Sequence, residues 1–392
     1  MIYLDAAATA QYTNLDDIII NTIVTAMKDS WMNPSSLYAT SIKDKIDKCR
    51  TNIAKFINAK SEEIIFTSGA SESNNMAIRG WIDKSWCDAN MMDDGEKYYS
   101  SMPHVITTSI EHKSILNLLD SDALICFRHE CAVDGCGRVI LDSLEQLLRM
   151  YANEPVLVSV CMANNEIGTI QNVKKISELV HKYGDILHTD ATQALGHIPI
   201  DVEYLGIDMM SCSGHKISPV LRGIGFLYKR NGINIQPLIY GNQEFGLRGG
   251  TENTYGILGL NKALEHCDVY TTMEELSSKR DYFIDNLKYK FGCKLNGHDI
   301  NRLPNNINVT FPQNITGESL LYMLDVGGIK IGIGSACNSK SIETSYVLKA
   351  IGVYDENAMR TIRITIPDDI TYAEIDNVIN EIDKAIKIIE MN

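Results

Sequence analysis

The stretch DILHTDATQALGHIPIDVEYLGIDMMSCSGHK, residues 185–216, holds two short apolar runs that each end in small or polar residues. The first, DILHTD (185–190), stops on Asp190. The second, IDMMSCS (207–213), leads into Gly214, His215 and Lys216. Runs this short, bounded by polar residues, predict buried strands. The same pattern recurs outward in EEIIFTS (62–68), HVITTS (104–109), VLVSVCM (156–162) and GIGFLYK (223–229). Between them lie helix-period segments, among them SESNNMAIRGWIDK (71–84) and the glycine-stopped VKKISELVHKYG (173–184). This alternation predicts an α/β fold with a mostly parallel sheet covered by helices. In such sheets ligands bind beyond the carboxyl ends of the strands.

From about residue 260 the texture changes. A long helical pattern (272–292) leads into NNINVTF (305–311), IRITI (362–366) and a terminal helix (371–392). These predict a smaller α+β domain. The expected division is a large domain over 16–258, with 1–15 and 259–392 forming the small one. Residues 84–103 are polar and aperiodic and read as a surface insertion.

A chain of 392 residues suits two domains, and 45 % apolar against 22 % charged residues marks a folded chain. The net charge of −14 comes with no Lys/Arg-rich patch, so nucleic-acid binding is not expected. No apolar window is long enough for a membrane span. The N-terminus MIYLDAAATA lacks the pattern of a secretory signal, so a cytoplasmic location is expected. The ten cysteines are scattered without a C-x-x-C pair, which argues for reduced thiols rather than disulfides or a metal site.

Two residues in the opening stretch suggest chemistry. An acid at a strand tip is often a helix cap. Lys216, however, follows 26 residues after Asp190, within a tight polar turn. A carboxylate for a pyridinium nitrogen and a lysine for a Schiff base are the minimal kit of pyridoxal-phosphate (PLP) chemistry. In FTSGASESNN, Gly69, Ala70 and Ser71 lie between a strand and a helix, where backbone N–H groups and a hydroxyl bind phosphate. Ser213 and His215 flank Lys216 as further donors. His112, at another strand end, reads either as a structural histidine or as a ring that stacks on the cofactor. Asn165 in ANNEIGTIQ could bond a ring oxygen. Cys337, in GGIKIGIGSACNSKS, is set among glycines and polar residues and reads as a nucleophile or an accessible thiol. Arg363 reads as a surface ion pair or a carboxylate clamp.

The ordered set YLDAAAT, NPSS, FTSGASESNN, SIEHKSI, ANNEIGTIQ, HTDATQALGHIPID, SGHK, GLRGGTEN and GSACNS…SYVLKAIG resembles the cysteine desulfurases of the NifS/IscS type. These are class-V aminotransferase-like enzymes of PLP fold type I. The resemblance implies a mostly parallel seven-stranded sheet sandwiched by helices, plus the small domain. It implies that Lys216 forms the Schiff base, Asp190 pairs with the pyridinium nitrogen and His112 stacks on the ring. Gln193 and Asn165 would contact the ring oxygen or substrate, and Ala70, Ser71, Ser213 and His215 the phosphate. Thr251 would reach the phosphate of the partner subunit in a homodimer. Arg363 would clamp the L-cysteine carboxylate and Cys337 would accept its sulfur as a persulfide. That sulfur would pass to an acceptor protein or small thiol, serving iron–sulfur cluster, thio-cofactor or tRNA synthesis. The short GSAC motif resembles the group with the more mobile cysteine loop.

The sequence departs from that family at several places. After the lysine the family reads His-Lys-x-x-Gly-Pro-Lys-Gly, whereas this chain reads HKISPVLRGIG. Phe245 stands where the family has Arg, Tyr38 where it has His, and Ser71 where it has Thr. The altered 217–222 segment is expected to serve loop geometry or partner choice rather than the cofactor. Competing readings are a lyase for selenocysteine or cysteine sulfinate, a generic class-V aminotransferase, and a catalytically silent interaction subunit. The first two leave Cys337 without a required role, and the third leaves the whole set without one.

Overall fold

The computed structural model describes residues 1–91, 102–333, 335–338 and 341–391, and for 88–91, 335–338 and 341–343 the backbone alone. Its strands are β1 (Ile2–Leu4), β2 (Ile64–Thr67), β3 (His104–Thr107), β4 (Phe127–Glu130), β5 (Val156–Ser159), β6 (Ile186–Asp190), β7 (Met209–Ser213), β8 (Gly225–Lys229), β9 (Lys294–Leu295), β10 (Asn306–Thr310), β11 (Ile329–Ile333), β12 (Ser335–Asn338), β13 (Ser341–Thr344) and β14 (Thr361–Thr365).

Seven strands form the large sheet in the order β2-β8-β7-β6-β5-β3-β4. The neighbours from β7 to β4 run parallel, and β8 is antiparallel to both β7 and β2. Strand β2 therefore points the same way as β3, β5, β6 and β7. Central strands covered on both faces need apolar residues throughout, and β5 and β7 are buried at every position, as is the edge strand β2. The edge strand β4, Phe-Arg-His-Glu, has exposed ends and two half-buried polar residues between them, so it lacks the apolar run that would have revealed it. Phe226 and Tyr228 of β8 are among the largest fully buried side chains. Truncating Phe226 to Ala would cost about 3–5 kcal/mol.

The small sheet has the order β1-β11-β14-β10-β9. The N-terminal strand β1 lies parallel to β11, so the first residues belong with the C-terminal part of the chain. Its core joins Leu4 to Phe283, Ile307, Ile364 and Ile382. The helix Thr254–Glu265 sends Ile257, Leu260 and Leu264 into the large-domain core. A boundary at 258 would cut that helix, so we propose the division just after Glu265.

Two local expectations change. The helix expected over 71–84 runs from Ala70 to Met91, so the aperiodic reading of 84–91 gives way to helix. The rest of that segment, 92–101, lies outside the described residues. The stretch around Cys337 is a two-stranded antiparallel hairpin of β12 and β13, with Cys337 opposite Ile342, rather than a loop.

Candidate active site

Because β2, β3, β5, β6 and β7 point one way, their carboxyl ends meet along one edge of the sheet, where β8 also begins. A cavity of about 630 Å³ opens at this edge. Each strand end contributes a side chain or a turn to it: Ala70 and Ser71 after β2, His112 after β3, Asn165 after β5, Asp190 and Gln193 at the end of β6, and Ser213, His215 and Lys216 at the end of β7. Arg363 enters from the small sheet.

The amine of Lys216 donates to the carbonyls of Ala7 (2.5 Å) and Ala8 (2.7 Å). Gln193 Nε2 also donates to Ala7 O, at 3.1 Å. The N-terminal YLDAAAT segment is therefore one wall of the site. Burial, then the nearby Arg363 charge, pulls the lysine down to about 8, against the opposing pull of Asp5 and Asp190. An amine so placed is available as a nucleophile or base near neutral pH.

Asp190 is buried and held from two sides. Its Oδ1 accepts the Thr192 N–H at 3.0 Å and its Oδ2 accepts from Asn74 Nδ2 at 2.8 Å. His112 caps a short helix, with Nδ1 accepting the Ser114 N–H at 3.1 Å. Below it Glu111 is wholly buried and accepts from Thr108 Oγ1 at 2.7 Å. Burial pushes the Glu111 carboxyl up to about 7.

The helix Ala70–Met91 begins at the cavity, and its first N–H groups have no intrahelical acceptor. Gly69 has φ +149°, and a Cβ on Gly225 would stand 2.6 Å from the Gly69 Cα, so β8 packs directly against this turn. Ser71 and Ser213 add hydroxyls. Burial and the charges of Lys216, Arg222 and His112 hold His215 down at about 4, so it is neutral and able to donate. The 217–222 segment divides in two. Leu221 is buried in the core, and Ser218 bonds Asp16, as expected for loop geometry. Arg222, however, lines the cavity.

Arg363 lies on β14 opposite Asn308 and Gly332. Its Nη2 meets Asp5 Oδ1 at 2.6 Å and its Nη1 donates to Asn165 O at 3.3 Å, while Nε is buried without a partner. Gly332 makes this possible, because a Cβ there would stand 2.7 Å from Asp5 Oδ1 and 2.9 Å from Arg363 Nε.

One expected residue is not among the described residues that line the cavity. Thr251 is exposed, in the 249–253 turn beyond Arg248. The side chain of Cys337, and with it the expected exposure and mobility, lies outside the described residues. Sequence reasoning missed Asn74, Asp5, Arg222 and the Ala7 and Ala8 carbonyls. Asn74 and the alanines sat inside quoted motifs, but nothing in their residue type marked them. Among the described residues no group of three or more His, Cys, Asp or Glu could hold a metal. Nine cysteines are described and all are free. Burial pushes Cys49, Cys126, Cys131 and Cys267 up to about 11, so those thiols stay protonated and unreactive.

The donor set fits PLP: free N–H groups and hydroxyls for a phosphate, a carboxylate for a basic ring nitrogen, and a lowered lysine for the aldehyde. The family model "Aminotransferase class-V" matches residues 2–378. A protein named cysteine desulfurase IscS from Dictyoglomus turgidum is 41% identical over 372 residues, covering 93% of this chain and 89% of that protein. The solved structure of a NifS-like protein superposes with TM-score 0.85 at 30% identity and covers all of both chains. A structure described as SspA in complex with cysteine superposes at 0.77 and 32% identity, covering 94% of this chain and 99% of that one. The chain therefore belongs to the class-V aminotransferase family, among its cysteine desulfurases.

Proposed function

We propose that this protein takes sulfur from L-cysteine, leaving L-alanine, with PLP in the cavity at the strand ends. One observation carries the reading: Lys216, lowered to about 8, lines one cavity with the Asp190 carboxylate and the Arg363 guanidinium. Bound there, PLP supplies an electron sink for the carbanion that forms when the substrate loses its Cα proton. Ala70, Ser71, Ser213 and His215 hold the phosphate. Asp190 keeps a proton on the ring nitrogen, His112 covers the ring, and Asn165 and Gln193 reach the ring oxygen or substrate. Arg363 exchanges Asp5 for the substrate carboxylate, leaving its unpartnered Nε to complete a two-point contact. Lys216 Nζ carries the cofactor and then moves the proton. Cys337 takes the sulfur: the substrate C–S bond breaks, an S–S bond forms on Cys337, and the product carbon is protonated. The sum is cysteine plus one thiol giving alanine plus one persulfide, with no external oxidant.

The exposed Thr251 supports a homodimer, in which it would reach the partner's phosphate. Exposed Tyr240 and Phe245 flank the same turn, and Leu37 and Tyr38 stand exposed as well. The sulfur then passes to an acceptor protein or small thiol. No helix among the described residues is long and apolar enough to cross a membrane, in keeping with the cytoplasmic location we propose.

The test is alanine formation from L-cysteine by the PLP-loaded protein with a thiol reductant present. Alanine and sulfide should appear in equal amounts, and absence of alanine would refute the reading. Gly332→Ala should displace Arg363 from its seat. The KM for L-cysteine should then rise about 10-fold or more, the scale of one lost charge-assisted bond, with PLP affinity unchanged. Steady-state kinetics and a PLP titration check this.

A further inference from the structure

Asn74 lies one turn into the helix Ala70–Met91 and is wholly buried. Its Nδ2 donates to Asp190 Oδ2 at 2.8 Å and to Ser114 Oγ at 2.9 Å. Ser114 Oγ lies 2.8 Å from His112 Nδ1. Both Asn74 N–H bonds are thus spent on one carboxylate and one hydroxyl. Its Oδ1 is buried with no partner. A buried amide oxygen left unsatisfied costs free energy and asks for a reason. Turning the amide over would set Oδ1 against the Asp190 carboxylate, acceptor against acceptor, so Asp190 decides which way the amide points.

We propose that Asn74 is a positioning residue that fixes the Asp190 carboxylate and, through Ser114, sets it relative to His112. Thr192 holds the other Asp190 oxygen, so the carboxylate plane is defined from both sides. Since His112 Nδ1 accepts the Ser114 N–H, the proton of the neutral ring sits on Nε2. Two groups from different strand ends, β6 and β3, are tied into one frame by a single amide on the helix after β2. The unsatisfied Oδ1 is the cost of that frame.

This rests on the reading of the cavity as a PLP site. The experiment uses Asn74→Leu and Asn74→Asp in the full chain, with wild type beside them. Leucine keeps the volume and removes the orphan oxygen, but it also leaves the buried Asp190 Oδ2 without its donor, so the melting temperature should fall by a few degrees while the protein still folds. The kcat for alanine formation should fall about 100-fold, as for a small misplacement of a reacting group. The KM should move by less than about threefold, because the carboxylate clamp is untouched. Asn74→Asp places a second carboxylate beside Asp190 and should alter the absorption spectrum of bound PLP and its pH dependence. In PLP-free wild type, nitrogen NMR should show slowly exchanging Asn74 side-chain N–H groups and His112 protonated on Nε2. An Asn74→Leu protein with wild-type kcat and spectrum, or His112 protonated on Nδ1 in wild type, overturns the proposal. If Asn74→Leu does not fold, the wild-type NMR result decides. A wild-type protein that binds no PLP would instead refute the proposed function, and the PLP-free measurement would still judge the frame.

Discussion

Lys216→Ala is expected to lower alanine formation from L-cysteine by roughly 10⁴-fold or more, because in the proposed function one amine would both carry the cofactor and move the Cα proton. The protein should still fold. Lys216 sits at a cavity wall, and its amine bonds only the carbonyls of Ala7 and Ala8, which water can reach once the side chain is gone. The same residue sets a pH dependence. Its amine is lowered to about 8, chiefly by burial, so it is half neutral near pH 8 and almost wholly neutral a unit or more above. Only the neutral amine attacks an aldehyde. The rate at which PLP-free protein captures PLP should therefore climb with pH and level off about a unit above 8. A lysine at its ordinary value would keep climbing to about 10. Stopped-flow absorbance across that range separates the two.

Cys337→Ala is the second large effect. Cysteine turnover should fall about 10³-fold, while PLP binding and its spectrum remain as in wild type. The discriminating measurement adds cysteine sulfinate, whose leaving group departs without thiolate attack. The variant should retain whatever activity wild type shows on the sulfinate and lose it on cysteine. Equal retention on both would remove the persulfide step and favour a simple lyase.

Much of the site was legible because strand ends advertise themselves. Asp190 and Lys216 each follow an apolar run, and in a parallel sheet such ends converge wherever the strands fall in order. What stayed hidden depends on contacts between distant parts of the chain. Asp5 meets Arg363 only because β1 joins the small sheet beside β11, which brings the two termini together. Ala7 and Ala8 act through backbone carbonyls, which no side-chain pattern can show. Asn74 resembles any helix-interior amide until Asp190 and Ser114 are seen on either side of it. Arg222 follows five residues that resemble structural packing, and Leu221 does pack, yet the next residue turns toward the cavity.

The departure at Phe245 also has a physical setting. Glu244 and Phe245 both adopt left-handed backbone, at φ 48° and 59°, which is costly for residues other than glycine. Glu244 is buried and pairs through both oxygens with Arg50, at 2.7 and 2.9 Å, while it also accepts the Phe66 N–H. The Phe245 ring lies 5.1 Å from the Arg50 guanidinium carbon. The buried ion pair holds the turn that leads to Arg248 and Thr251, and the aromatic ring covers it from solvent.

The most direct test of the central claim is a single turnover of PLP-loaded protein with one equivalent of L-cysteine and no reductant, followed by peptide mass spectrometry. The account predicts one equivalent of alanine and one added sulfur atom on the peptide bearing Cys337, removed by a thiol reductant. Alanine formed with no sulfur on Cys337, or with the sulfur on another cysteine, would contradict it.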